Sequence, residues 1–119
     1  MPLNKKDFSI KRNDTLPALQ ICVIDRSCLG GKQPFQLSGV TAVTFTMIDD
    51  CGQPKIFNQA AQIYSYEKGI IQYNWTAEDT NANGLFQGEF QLIFSGGGKL
   101  SLPQDSPIQI EIFKDLNPY

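Results

Sequence analysis

The chain of 119 residues contains no histidine. That removes the commonest general base, the usual serine and cysteine triads and most catalytic zinc sites. Cysteine is scarce: Cys22, Cys28 and Cys51 stand at irregular spacing, without a CxxC pair. Such a set makes neither a disulfide framework nor a structural zinc site. The three read as reduced thiols of a protein folded in a cytoplasm, with Cys28 and Cys51 in or near loops. Long apolar runs are missing as well. No stretch approaches the ~20 residues of a membrane span, and the opening MPLNKKDFSIKR lacks the apolar run of a secretory signal. The triplets Asn13-Asp14-Thr15 and Asn74-Trp75-Thr76 therefore carry no expectation of glycosylation. Charge is sparse and nearly balanced, with a net value of -2, so the basic excess of a nucleic-acid binder is absent. No nucleic acid, membrane or cofactor is expected as a partner.

What is present is an alternation of period two. Phe8 and Ile10 alternate with polar residues, as do Leu19, Ile21 and Val23, then Val43, Phe45 and Met47. The pattern returns at Ile71, Tyr73 and Trp75, at Phe86, Phe90, Leu92 and Phe94, and at Ile108, Ile110 and Ile112. Side chains of a strand point alternately to its two faces, so each run has one core face and one wetter face. Turn residues punctuate the runs: Asn13-Asp14 with Pro17, Gly30-Gly31 with Pro34, Ser38-Gly39 and Asp49-Asp50-Cys51-Gly52. Asn83-Gly84 and Gly96-Gly97-Gly98 bound what reads as the longest strand, and Pro103 and Pro107 bracket a break before the last. Lys55 to Tyr64 reads as a bent or edge strand. About seven strands at this spacing predict an all-β protein, an immunoglobulin-like antiparallel β-sandwich. One domain spanning 1–119, with short terminal arms, is expected for this length. Proline lacks a ladder donor, so Pro17 predicts a place where the chain leaves one sheet for the other.

The segment between Gly69 and Phe94 is the most specific. It reads as a strand, a corner and a second strand. Thr76 is placed to cap the corner by accepting from the amide of Asp79, while Asp79 reaches back to the amide of Thr76. Trp75 and Phe86 are expected to enter the core on either side, with Phe90 following. Antibody-type corners carry a tyrosine hydroxyl bond and a cysteine. Both are expected to be missing here, with Tyr73 assigned to packing.

Chemistry is thinly represented. Asp49-Asp50 and Glu78-Asp79 are adjacent carboxylates. Adjacent residues on a turn rarely face each other across a substrate, so turn and cap roles are expected. Gly96-Gly97-Gly98-Lys99 lacks the helix and the Ser or Thr of a phosphate loop, and a hairpin tip with a strand after it is expected. Tyr64, Tyr66 and Lys68 are candidate loop contacts, including for a sugar. Lys5, Lys6, Lys11 and Arg12 crowd the amino end. They read either as a solvated strand and terminus or as an arm that docks on an acidic neighbour.

Four segments in order resemble a known family: FSIKRNDTLPAL (8–19), LSGVTAVTFTMID (37–49), GIIQYNWTAEDTNANGLFQGEFQLIF (69–94), and the closing proline turn with IQIEIF. They look like the amino-terminal domain of phage baseplate upper proteins and related small tail proteins. The most specific parts are Asp14-Thr15 with Pro17, Leu37-Ser38-Gly39, and the set Tyr73, Trp75, Asp79-Thr80 and Gly84. The resemblance implies a non-enzymatic virion structural protein, assembled in the host cytoplasm and present in several copies. Such a protein is an adaptor or attachment module in the tail, baseplate or fibre-attachment region, bound to other phage structural proteins. Baseplate upper proteins continue past this domain, whereas the chain stops at Tyr119, which favours an adaptor, a decoration, or a collar or neck component over direct receptor binding. A neck, collar or capsid decoration protein and a host-glycan-binding adhesin are the alternatives. The candidate assembly contacts are Leu3, Lys5, Lys6, Leu116 and Tyr119.

Overall fold

The computed structural model describes residues 7–25, 33–34, 37–103 and 106–114. Among the described residues ten strands follow one another: β1 (Phe8–Lys11), β2 (Leu19–Cys22), β3 (Ile24–Asp25), β4 (Gln33–Pro34) and β5 (Val40–Asp49). Then come β6 (Pro54–Ser65), β7 (Ile70–Tyr73), β8 (Gly84–Phe94), β9 (Lys99–Leu102) and β10 (Ile108–Phe113). Among the described residues there is no helix.

The strands form one ribbon, β1-β10-β8-β5-β6-β7-β2, with β9 added beside β8 and β3 paired only with β4. The ribbon folds over on itself at β6. The first part of β6 pairs with β5 up to Ala61, and the last part pairs with β7 from Gln62 onward. Two register shifts against β5 and a positive φ of 49° at Asn58 mark the bend. Bulges of this kind add local twist and turn a strand from one sheet into the next. The bent strand expected at Lys55 to Tyr64 is therefore present, but it is also the longest, at 12 residues against 11 in β8. Its length escaped the alternation because residues 57–60 are all exposed.

One layer is β1-β10-β8-β5 with the first part of β6, and β9 lies in it beside the end of β8. The other is the end of β6 with β7 and β2. This is the two-layer partition of an immunoglobulin-like sandwich. The connection through Pro17 does what the sequence predicted, since β1 ladders with β10 and β2 with β7. The glycine tip makes a tight hairpin closed by the Phe94 amide on the Gly98 carbonyl at 2.9 Å. The short β3–β4 pair has no counterpart in the sequence reading.

All the alternating apolar residues face inward. Phe45 and Phe90 are fully buried, and so are Met47, Ile71 and Leu92. Phe45 joins the layers: its ring lies 4.9 Å from Phe90 and 4.7 Å from Tyr73, centroid to centroid, with Trp75 edge-on at 5.9 Å. Gly88 makes room for it. A Cβ there would sit 2.9 Å from Cζ of Phe45 and 2.9 Å from Cδ1 of Ile110. Gly88→Ala is expected to lower stability by about 1–3 kcal/mol through overpacking. Gly98→Ala, where an added Cβ meets nothing within 4 Å, should stay within about 0.5 kcal/mol of the parent. Urea unfolding of the two variants checks the contrast.

Candidate functional site

The corner after β7 is built around one carboxylate. Oδ2 of Asp79 accepts the Thr76 amide at 2.8 Å, and the Asp79 amide donates to Oγ1 of Thr76 at 3.3 Å. The reciprocal cap expected from the sequence is thus present. A third bond was not expected. The hydroxyl of Tyr73 donates to the same Oδ2 at 2.7 Å. The prediction that this corner lacks a tyrosine bond is corrected: the hydroxyl comes from the strand before the corner rather than the one after it. Tyr73 also packs as predicted, so the apolar phase of β7 concealed its polar end. Burial, then the hydrogen bond to Asp79, then the carboxylate charge push the Tyr73 phenol far above its usual range.

The corner is also clamped to the loop between β1 and β2. The fully buried Thr80 donates from Oγ1 to the carbonyl of Asp14 at 2.9 Å, and the Asn13 amide donates to the carbonyl of Thr80 at 2.9 Å. Trp75 and Phe86 are buried beside it, as expected. This machinery holds two loops together. In the other acidic pair Asp49 is likewise occupied, since its Oδ1 accepts the amides of Cys51 and Gln53, each at 2.9 Å. Such a turn is the usual task of an aspartate there. Among the described residues, no three His, Cys, Asp or Glu side chains gather as a metal site. Cys22 and Cys51 are free and exposed. Cys28 lies outside the described residues.

The candidate loop contacts are separated in space from the corner. Tyr64 is exposed on β6, Tyr66 is exposed in the turn that follows, and Lys68 is exposed with its amide on Oγ of Ser65 at 3.0 Å. Tyr66 lines a groove of about 210 Å³ with Val40–Val43 and Ala61–Ile63, where β6 parts from β5. Among the described residues that line it, Tyr66 alone carries an ionisable side chain. The candidate assembly contacts Leu3, Lys5, Lys6, Leu116 and Tyr119 lie outside the described residues.

The outer face of the larger layer carries a feature that the sequence reading missed. Its strands present mostly amides and hydroxyls, among them Thr44, Thr46, Gln87, Gln91 and Gln109. Across them runs an apolar diagonal. Ile48 pairs with Gln87, so Leu85, two residues before Gln87, is its diagonal neighbour. Leu85 pairs with Glu111, so Phe113, two residues further, is the next diagonal neighbour. At the other end, the pairs Phe45–Gln59 and Met47–Ile56 bracket Thr46 against Phe57 and Asn58. Phe57 is therefore diagonal to Ile48. Diagonal neighbours lie within reach of long side chains. Phe57, Leu85 and Phe113 are 65%, 42% and 39% exposed, and Ile48 is half-buried. The stripe adjoins a groove of about 350 Å³ lined by the turn at Asp49–Cys51, by Pro54 and Lys55, and by Ala82–Phe86. Sequence holds only a weak sign of it: apolar residues in the wet phase of three strands.

No family model and no curated protein matches the chain. A solved structure that it resembles is that of CopC from Methylosinus trichosporium OB3b, with a TM-score of 0.53 at 14% identity. The match covers 96% of this chain and 89% of that one. At that identity the likeness bears on the β-sandwich fold alone.

These findings correct the expected function. An adaptor or attachment protein of a phage tail, baseplate or fibre region is not supported, nor are a neck, collar or decoration protein and a host-glycan adhesin. No family model links the chain to a virion, and the structural likeness is to CopC. The physical reason is that the resembling residues are fold determinants. Pro17 with Asp14 marks a sheet change, and Tyr73, Trp75, Asp79, Thr80 and Gly84 build the corner. A sandwich used for any purpose needs such elements, so they carry no function with them.

The corner predicts a pH effect that one side chain controls. A phenol whose folded pKa is raised keeps its full contribution below the unfolded value, about 10. That contribution is lost as pH rises from there toward the folded value. The stability of the parent, measured by urea unfolding, should fall more steeply above about pH 10 than that of Tyr73→Phe. Below that pH, Tyr73→Phe should cost about 1 kcal/mol and Asp79→Ala about 1–3 kcal/mol. Equal slopes for the parent and Tyr73→Phe would count against the phenol's role.

Proposed function

We propose that the chain is a non-catalytic, protein-binding sandwich, and that its binding surface is the outer face of the larger layer. The observation that carries this reading is the stripe Phe57, Ile48, Leu85 and Phe113. Three of its side chains are among the few large apolar groups left exposed. Alternation on a strand ordinarily gives the solvent face to polar residues, and β8 obeys at Gln87, Glu89 and Gln91 but departs at Leu85. Departures on adjacent strands that fall on one line make a continuous patch rather than scattered exceptions. Contiguous apolar patches rimmed by polar groups mark interaction surfaces. The rim of Gln, Thr and Glu side chains suits the periphery of a protein interface. Asp49 and Asp79, one carboxylate of each acidic pair, are engaged in turn or cap bonds, which supports the non-catalytic half of the reading.

A photo-crosslinker tests it. Leu85→p-benzoylphenylalanine, introduced in the cell that makes the protein, should give a covalent adduct with a protein. Gln20→p-benzoylphenylalanine, on the exposed side of the smaller layer, should give none. Adducts at neither position, or equal yields at both, would sink the reading.

A further inference from the structure

We infer that the occupant of this face is an amphipathic helix of a partner protein, lying along the stripe with its amino end at Phe113 and its carboxyl end at Phe57. This rests on the reading of the face as an interaction surface and adds the shape and charge of what covers it.

The width of the stripe selects the shape. It is one residue wide. Thr46 and Gln87 border it on one side, Lys55 and Asn83 on the other. A second sheet packed face to face would set its apolar residues over these polar borders as well as over the stripe. An extended segment would bring backbone amides and carbonyls with no ladder to join, because β5, β8 and β10 each have a strand on both sides. An α-helix satisfies its backbone internally and presents a single apolar line, with residues at i, i+3 or i+4, and i+7.

The length agrees. Three diagonal steps of ~7–8 Å make the stripe on the order of 23 Å long. A helix of about 15 residues, roughly four turns, covers that distance. The groove of about 350 Å³ beside Leu85 takes the side chains along one flank of the helix.

The charges along the stripe set the direction. At the end formed by Phe57 and Ile48 stand two exposed carboxylates: Glu89, paired with Thr46, and Asp50, two residues beyond Ile48. Lys55, the cation beside them, donates from Nζ to Oδ1 of Asn81. At the other end stand Lys11, paired with Phe113, and Lys114, which follows Phe113; both are exposed. Glu111, paired with Leu85, lies between the two ends. The face thus runs from acidic to basic, and its complement runs from basic to acidic in the same direction. An isolated helix is most stable with acidic residues in its first turns and basic residues in its last. Laid with its amino end at Phe113, such a helix brings its acidic turns to Lys11 and Lys114 and its basic turns to Glu89 and Asp50.

A synthetic helix of about 16 residues, with leucines along one line, glutamates beside them in its first half and lysines in its second, tests the inference. Fluorescence anisotropy of the labelled peptide is followed as the purified full chain is added, in reductant. The graded peptide should bind. Versions with only lysine or only glutamate beside the leucines should bind about tenfold more weakly, and a version with proline at its centre should lose at least as much. Leu85→Lys and Phe57→Ser should each raise the dissociation constant about tenfold or more, while Gln20→Lys leaves it unchanged. Phe57 is the most exposed member of the stripe, so Phe57→Ser is informative even if Leu85→Lys folds poorly. No binding of the graded peptide, equal binding of the proline or single-charge versions, or binding indifferent to both substitutions overturns the inference. An adduct of the Leu85 crosslinker with a second copy of the chain, or with a strand of another protein, also overturns it, while leaving the face itself as an interaction surface. No adduct at Leu85 removes that underlying reading, and the inference with it.

Discussion

The ring of Phe45 is where the two layers of this protein meet. It lies against Phe90 in its own layer and against Tyr73 and Trp75 in the other, without exposure to solvent. Aromatic pairs in tilted and edge-on arrangements contribute beyond the area they bury. Much of the remaining architecture serves this contact. Gly88 gives up its side chain so that the ring can pass between β8 and the opposite layer. The corner after β7 holds Tyr73 by its hydroxyl, which anchors the ring that Phe45 packs against. Thr80 then ties that corner to the loop leading into β2, so the third strand of the smaller layer is placed by the same device.

The outer face follows from the same constraint in reverse. Period two commits alternate residues to the core, and those between them must suit whatever lies outside. For most of the larger layer that environment is water, met by glutamine, threonine and glutamate. Along one diagonal the wet positions hold apolar residues instead. Leu85 and Phe113 stand in wet positions on β8 and β10, and Ile48 does so on β5. Phe57 arrives through the bulge in β6 that also carries this strand from one layer to the other. The bend that closes the sandwich therefore completes the stripe.

The likeness to CopC of Methylosinus trichosporium OB3b and the correction of the phage reading have a common cause. The residues most conspicuous in the sequence are those that make the fold, because cores and corners constrain side chains most tightly. Trp75, Thr76, Asp79, Phe86 and Phe90 all stand where the sequence placed them. Surface patches impose no comparable pattern on neighbouring residues, and sandwiches with unrelated tasks share the constrained part.

Sequence by itself determined the all-β class, the inward phase of each main strand, the sheet change at Pro17 and the reciprocal cap between Thr76 and Asp79. Each depends on alternation or on groups within three or four residues of one another, so local order along the chain is enough to reveal it. Tertiary structure alone decided the rest. The bond from Tyr73 to Asp79 needs a corner that folds back over its own strand. The contact of Thr80 with Asp14 joins residues 66 positions apart. The stripe from Phe57 to Phe113 depends on the registers of three ladders, and a shift of one residue in any of them would scatter it between two faces. Registers are set by how the layers pack, and no single strand contains that information.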